Sequence, residues 1–137
     1  MRTVIKANVV WLSILLLMTI TAASAWPLEL SKSFTDDPVL PGGTVTLEFT
    51  IRNTDTVASV TNIAFTDDLD ATLSGLTTIG LPMNDVCGTG SQLSGTNLLT
   101  MTGGTLGPDS SCTFSVTLQV PAGAPPGIFP NTTSSVT

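Results

Sequence analysis

The sequence of 137 residues contains no histidine and no tyrosine, and it has only two cysteines and four basic residues. The absence of histidine excludes a Ser-His-Asp triad and a histidine metal site. Two cysteines are too few for a zinc site, and Gly88-Thr89-Gly90 is too short for a phosphate-binding loop. The ten acidic residues bring the net charge to −6, which repels nucleic acid and anionic membranes. We therefore expect a protein that is not an enzyme, has no cofactor and no metal, and does not bind nucleic acid.

The first residues have the three parts of a secretory signal peptide. Arg2 and Lys6 supply a positive start, Val9–Ile20 is nearly all apolar, and Ala23-Ser24-Ala25 has the small residues of a cleavage site. The apolar run is shorter than the roughly 20 residues that span a bilayer, which argues against a permanent anchor.

We predict cleavage between Ala25 and Trp26. Residues 1–25 are then the signal peptide, and residues 26–137 form one exported domain that makes no contact with the membrane after cleavage. Only Lys32 and Arg52 remain as basic residues, since all ten acidic residues follow the cleavage point.

Two segments of the predicted domain alternate between apolar and polar side chains, with the period of a strand that has one buried face. They are Thr44–Arg52 and Cys112–Val120, and they place Phe49 and Phe114 on the buried face. Weaker strand patterns cover Leu28–Phe34, Val60–Thr66, Leu76–Ile79, Asn97–Thr102 and Asn131–Thr137. Turn-forming clusters separate them at Pro38–Gly43, Asn53–Asp55, Gly103-Gly104, Gly107–Asp109 and Pro121–Gly127. About seven short strands predict an all-β fold, an immunoglobulin-like antiparallel β-sandwich.

An ordered series of short segments resembles a known bacterial family. The segments are Lys32-Ser33-Phe34, Pro41-Gly42-Gly43 with the following Thr44–Asn53, Ile63–Asp67, Cys87-Gly88, Gly103–Leu106, Ser111-Cys112-Thr113 and Pro130-Asn131-Thr132. From Leu30 onward the chain is similar to the conserved-repeat domain, the domain of unknown function 11 family and its close relatives. At Leu69-Asp70 it departs from the Leu-Pro that such domains often carry. The resemblance implies an immunoglobulin-like module of secreted and cell-surface proteins, often in tandem. It implies no activity.

The two cysteines, Cys87 and Cys112, are expected to form a disulfide, because an exported chain matures in an oxidising environment. The pairing differs from the antibody type, because the strand Thr44–Arg52 contains no cysteine.

The aspartates are the remaining candidates for chemistry, and they are Asp36, Asp37, Asp67, Asp68, Asp70, Asp85 and Asp109. A glycosidase needs two carboxyl groups that converge across a cleft, one of them in an apolar pocket. These aspartates lie among turn residues, which predicts exposure and a role in turn capping. Calcium bound by Asp67, Asp68 and Asp70 stays an open alternative, although no EF-hand spacing follows them. Asn131-Thr132-Thr133 matches a glycosylation sequon that we expect to be unused.

Two functions follow from these features. The first is a structural spacer of a secreted or cell-surface bacterial protein, whose partners are neighbouring repeat modules of the same protein. The second is an adhesin-type module that binds a glycan or a protein ligand. An exposed apolar or aromatic patch on the folded domain would favour the adhesin.

Overall fold

Ten β-strands and one short helix make up the part of the chain that the computed structural model describes, residues 1–7 and 27–137. The strands are β1 (Arg2–Ala7), β2 (Leu28–Phe34), β3 (Thr44–Asn53), β4 (Val60–Asp68), β5 (Thr77–Ile79), β6 (Met83–Asn84), β7 (Gln92–Ser94), β8 (Leu98–Leu106), β9 (Ser111–Gln119) and β10 (Gly127–Thr132). The helix α1 is Leu69–Thr72. The predicted apolar segment Val9–Ile20 and the predicted cleavage point at Ala25 and Trp26 lie outside the described residues.

All named strand pairs are antiparallel, and they form two four-stranded sheets and one two-stranded sheet. The first sheet has the order β2-β3-β9-β5, the second has the order β4-β8-β7-β6, and β1 pairs with β10. This arrangement confirms the predicted all-β sandwich. The described residues contain no helix that is long and apolar enough to cross a membrane.

The two larger sheets meet through three phenylalanine rings. Phe49 of β3 lies 5.0 Å from Phe65 of β4 and 5.6 Å from Phe114 of β9, measured between ring centroids. All three rings are buried, as predicted for Phe49 and Phe114. The alternation of β3 is confirmed, because Val45, Leu47, Phe49 and Ile51 are all 0% exposed. Burial of such a side chain contributes about 1.5–3 kcal/mol, so this inner face contributes substantially to the stability of the sandwich.

Gly103-Gly104 was predicted as a turn, and this prediction is wrong because both glycines lie inside β8. The opposing strand β4 shifts register around Asn62, which has a positive φ of 58°. A Cβ on Gly104 would lie 2.9 Å from the Cβ of Ile63, so the close approach of the two strands requires glycine at this position.

The end of the chain also differs from the predicted strand Asn131–Thr137. The strand β10 ends at Thr132, and the residues after it follow β4 instead. The amide of Ser134 donates to the carbonyl oxygen of Thr66, and Thr137 and Ala64 exchange two backbone hydrogen bonds of 3.0 Å. The chain changes its partner from β1 to β4 at the single bridge between Thr133 and Asp67.

Three elements were not predicted from the sequence: β1, the short hairpin of β6 and β7, and the helix α1. The helix has one turn, and the carboxylate of Asp68 caps it by accepting from the amide of Ala71. The residues predicted as the positive start of a signal peptide, Arg2 and Lys6, lie in β1.

Candidate functional site

The inward-facing positions of three strands bring charged and polar side chains into the core. In β2 the buried side chains are Leu28, Leu30 and Lys32, which follow one another at the period of a strand. In β4 the same period runs from Ile63 through Phe65 to Asp67, at the end where β4 meets α1. From β10 comes Asn131, and the residues Lys32, Asp67 and Asn131 are called the buried triad below.

The side chains of the buried triad contact one another directly. The Nζ atom of Lys32 lies 2.8 Å from Oδ2 of Asp67, and both side chains are fully buried. The same Nζ atom donates to Oδ1 of Asn131. The hydroxyl of Thr133, two residues after Asn131, donates to Oδ2 of Asp67 over 3.1 Å. One amine, one carboxylate and one carboxamide thus converge at a single point between the sheets.

Two atoms of the buried triad have no hydrogen-bond partner: Oδ1 of Asp67 and Nδ2 of Asn131. A buried polar atom without a partner costs free energy, and such atoms are uncommon in folded proteins. The buried triad is therefore incompletely satisfied as a set of hydrogen bonds.

Burial lowers the pKa of the Lys32 ammonium, because a charged amine loses its hydration in the core. The charge of Asp67 and its hydrogen bond to Nζ oppose this effect only in part. A buried ion pair of this kind is weak evidence for added stability, since the cost of desolvation offsets much of the attraction.

Apolar residues and β1 shield the buried triad from solvent. Lys32 is directly opposite Phe49 in the register of β2 and β3, next to the three phenylalanine rings. On the other side, Thr3 of β1 pairs with Asn131 and donates its hydroxyl to the carbonyl oxygen of Lys32 over 2.8 Å.

The prediction that the aspartates are exposed is wrong for Asp67, which is 0% exposed. Strand β4 extends two residues further than predicted, so Asp67 takes an inward position of the strand instead of a place in a turn. Asp68 and Asp70 are exposed and accept from the amides of Ala71 and Gly75, as the capping interpretation predicts.

The alternative that Asp67, Asp68 and Asp70 bind calcium gains no support from their geometry. Asp67 is engaged by Lys32, whereas Asp68 and Asp70 serve the helix and the turn after it. Within residues 1–7 and 27–137, no group of three or more acidic or cysteine side chains is arranged to hold a metal ion.

Three further aspartates serve local structure. Asp36 accepts from the amide and hydroxyl of Thr46, Asp85 accepts from the amide of Gly90, and Asp109 pairs with Arg52 on the surface at 2.8 Å.

The predicted disulfide between Cys87 and Cys112 is present, with 5.4 Å between the two Cα atoms. Cys112 lies on β9 of the first sheet, whereas Cys87 lies in the loop between β6 and β7 of the second sheet. The hydroxyl of Ser91 fixes this loop by accepting from the amide of Cys87 over 2.8 Å. The disulfide therefore connects the two sheets covalently.

The alternation of β2 and β4 indicates that Lys32 and Asp67 are buried, although the composition of the chain does not. Lys32 continues the inward series of Leu28 and Leu30, and Asp67 continues the series of Ile63 and Phe65. A charged residue in phase with a buried face is the feature that identifies such a cluster. The contact between the strands depends on the fold and has no local signal.

The fold and its internal contacts define a β-sandwich module in which the side chains of the buried triad lie in the core. The chain belongs to the family described as a domain of unknown function, DUF7933, whose model matches residues 28–137. A comparison with curated proteins found no match. The resemblance to the domain of unknown function 11 family stays a prediction.

Proposed function

We propose that this chain is a non-catalytic structural module, a spacer of a secreted or cell-surface protein. The observation that supports this most is that the buried polar side chains and the disulfide connect strands and loops to one another. Lys32, Asp67 and Asn131 join β2, β4 and β10, and Cys87–Cys112 joins the two sheets. Side chains used in this way maintain a shape, whereas catalysis requires groups that converge on an accessible cleft.

Export is part of this proposal. A disulfide between Cys87 and Cys112 is suited to an oxidising compartment, and the family match begins at residue 28, shortly after the predicted cleavage point. In the proposed role the partners are neighbouring modules of the same protein, and each module adds length.

The adhesin-type alternative needs an exposed apolar surface. In the described part of the chain, the large exposed apolar side chains belong to five separate segments and are Leu40, Val57, Ile79, Leu98 and Ile128. They lie in different strands and loops, and single exposed apolar residues are normal on a soluble surface. This distribution favours the spacer.

A replacement experiment separates the two functions. In the surface protein that carries the chain, residues 28–137 are replaced by an unrelated disulfide-bonded β-sandwich of similar length. If the module is a spacer, surface display and the function of the remaining protein are expected to be retained. If the module is an adhesin, display is expected to be retained and binding to the target surface is expected to be lost.

A deletion of residues 28–137 is the matched control. If length is what the module supplies, the deletion reduces the accessibility of the rest of the protein to an antibody, and the unrelated sandwich restores it. Restoration only by the original module would contradict the spacer.

A further inference from the structure

We propose that Lys32 and Asn131 become joined by an intramolecular isopeptide bond between Nζ of Lys32 and Cγ of Asn131, with Asp67 transferring the protons and with release of ammonia. The proposal does not depend on the spacer function. It assigns a modification site to three residues that otherwise form only a costly buried cluster.

Proximity is the first argument. The Nζ atom of Lys32 is already in contact with the carboxamide of Asn131, although the two residues are far apart in the chain. Their strands, β2 and β10, belong to different sheets and are fixed by different backbone pairings. The fold therefore holds an amine against a carboxamide, and such positioning replaces the encounter that limits a reaction between separate molecules.

The state of the amine is the second argument. Only the neutral form of an amine is a nucleophile, and burial favours that form by lowering the pKa of Lys32. The carboxylate of Asp67 lies 2.8 Å from Nζ, within reach to accept a proton from it. The hydroxyl of Thr133 holds the same carboxylate oxygen over 3.1 Å and so orients it.

The atoms and charges of the reaction balance without a co-reactant. The Lys32 ammonium gives one proton to Asp67, and the neutral Nζ attacks Cγ of Asn131 to form the new N–C bond. A second proton passes from Nζ through Asp67 to Nδ2, the bond between Cγ and Nδ2 breaks, and ammonia leaves. Ammonia takes up the proton that Asp67 still holds, so the products are a secondary amide, an Asp67 carboxylate and an ammonium ion. No group is oxidised or reduced.

The unpaired atoms are the third argument. The Nδ2 atom of Asn131 has no acceptor in the core, and this is the atom that leaves in the reaction. The reaction also converts a buried ammonium into a neutral amide. The product therefore lacks the unpaired donor of the unreacted cluster.

Mass spectrometry of the full-length protein tests the proposal. The intact mass is expected to be lower than the sequence mass, after allowance for the disulfide and any processing, by the mass of one ammonia molecule. After reduction, trypsin is expected not to cleave at Lys32. The peptide that ends at Arg52 is expected to stay attached to the peptide that begins at Asn53 and contains Asn131.

Two results would overturn the proposal. One is folded protein with the full sequence mass, which would show that the contact is only a hydrogen bond. The other is loss of ammonia with normal cleavage at Lys32, which would indicate a cyclised Asn131 side chain without a cross-link.

The variant Asp67→Asn keeps the amine and the carboxamide but removes the proton acceptor. It is expected to restore the full mass and cleavage at Lys32. The variant Asp109→Asn is the matched control, because it removes a surface aspartate that pairs with Arg52, and it is expected to retain the cross-link. Equal cross-linking in both variants would show that Asp67 is not needed for the reaction. If Asp67→Asn does not fold, the intact mass of the protein without substitutions still decides whether the bond forms.

Discussion

Asn53 is the side chain that ties two loops to the end of β3. It is 0% exposed, and its Nδ2 atom donates to the carbonyl oxygens of Ala58 and Gly107 over 2.8 and 2.9 Å. The substitution Asn53→Ala is expected to lower the free energy of unfolding by about 2–3 kcal/mol, because the carbonyl oxygens of Ala58 and Gly107 lose their hydrogen-bond donor. Urea unfolding measures this difference.

The control for that prediction is Asn84→Ala. Asn84 is exposed, and its side chain accepts one hydrogen bond from Gln92. This substitution is expected to change the free energy of unfolding by about 0.5 kcal/mol or less. Similar losses in the two variants would contradict the role given to Asn53.

Asp55 makes the stability of the same region depend on pH. Its Oδ1 atom accepts from the amides of Ala58 and Val57, and these hydrogen bonds lower the pKa of the Asp55 carboxyl. A carboxyl whose pKa is lower in the folded state stabilises the fold above its ordinary pKa of about 3.9 and loses this effect as the pH falls through the folded value.

We therefore expect Asp55→Asn to melt at a lower temperature than the unmodified protein at neutral pH. The difference should disappear as the pH is lowered below the folded pKa of Asp55. Thermal unfolding over a pH series measures it, and a constant difference down to the lowest pH would contradict the assignment.

The buried triad shows where residue-level prediction failed. Composition treats Lys32 and Asp67 as surface charges, because charged residues are rarely buried without a partner. The alternation of their strands indicated otherwise, but the partner of each residue lies on a distant strand. Asn131 lies at the start of the predicted strand Asn131–Thr137, where no alternation marked its side chain as buried, and it is 0% exposed. Only the packing of β2, β4 and β10 brings the three together.

The hairpin of β7 and β8 depends on Gly95. This glycine has a φ of +105°, and a Cβ at this position would lie 1.9 Å from the carbonyl oxygen of Leu98. The substitution Gly95→Ala is expected to lower the free energy of unfolding by about 3 kcal/mol or more, because backbone strain and a clash with backbone act together.

Two other glycines separate these causes. Gly90 has a φ of +87° with no atom within 4 Å of the added Cβ, so Gly90→Ala is expected to cost about 1–2 kcal/mol from the backbone alone. Gly123 has open space and no positive φ, so Gly123→Ala is expected to be neutral or slightly stabilising. Chemical denaturation of the three variants checks this order, and a cost at Gly123 equal to that at Gly95 would contradict it.

The elements that were predicted well are those with a long one-sided alternation. The strands β3 and β9 were located to within a residue at each end, because each has nine or ten residues and one buried face. The strands β6 and β7 have two and three residues, too few to show a period. Gly103-Gly104 was predicted as a turn because a pair of glycines is typical of turns. Their place inside β8 depends on the bulge in the opposite strand β4, which the sequence does not show.

The disulfide acts on the whole molecule because it joins the two sheets. Cys87 and Cys112 are separated by 25 positions in the sequence. Closing a loop of this length stabilises the fold by about 3.5 kcal/mol in the chain-entropy model. The double variant Cys87→Ala with Cys112→Ala is expected to lose that amount in urea unfolding. Thiol titration of the denatured, unreduced protein should find no free thiol, and two free thiols would contradict the pairing.

The predicted removal of residues 1–25 changes how β10 is held. The strand β1 pairs with β10 along its whole length and buries Ile5 completely. Within residues 1–7 and 27–137, β1 is the only strand that β10 pairs with in a sheet. After cleavage, the contact of Asn131 with Lys32 and the hydrogen bonds of residues 133–137 to β4 remain to hold this segment near the sandwich.

We therefore expect N-terminal sequencing of the exported protein to begin at Trp26. We also expect the backbone amides of Gly127–Thr132 to exchange hydrogen faster than those of β3, because they have lost their strand partner while β3 keeps β2 and β9 on its two sides. The uncleaved chain is the control, in which β1 should slow this exchange. An exported protein that begins at Met1 and protects β10 as well as β3 would contradict both the cleavage and the account of β10.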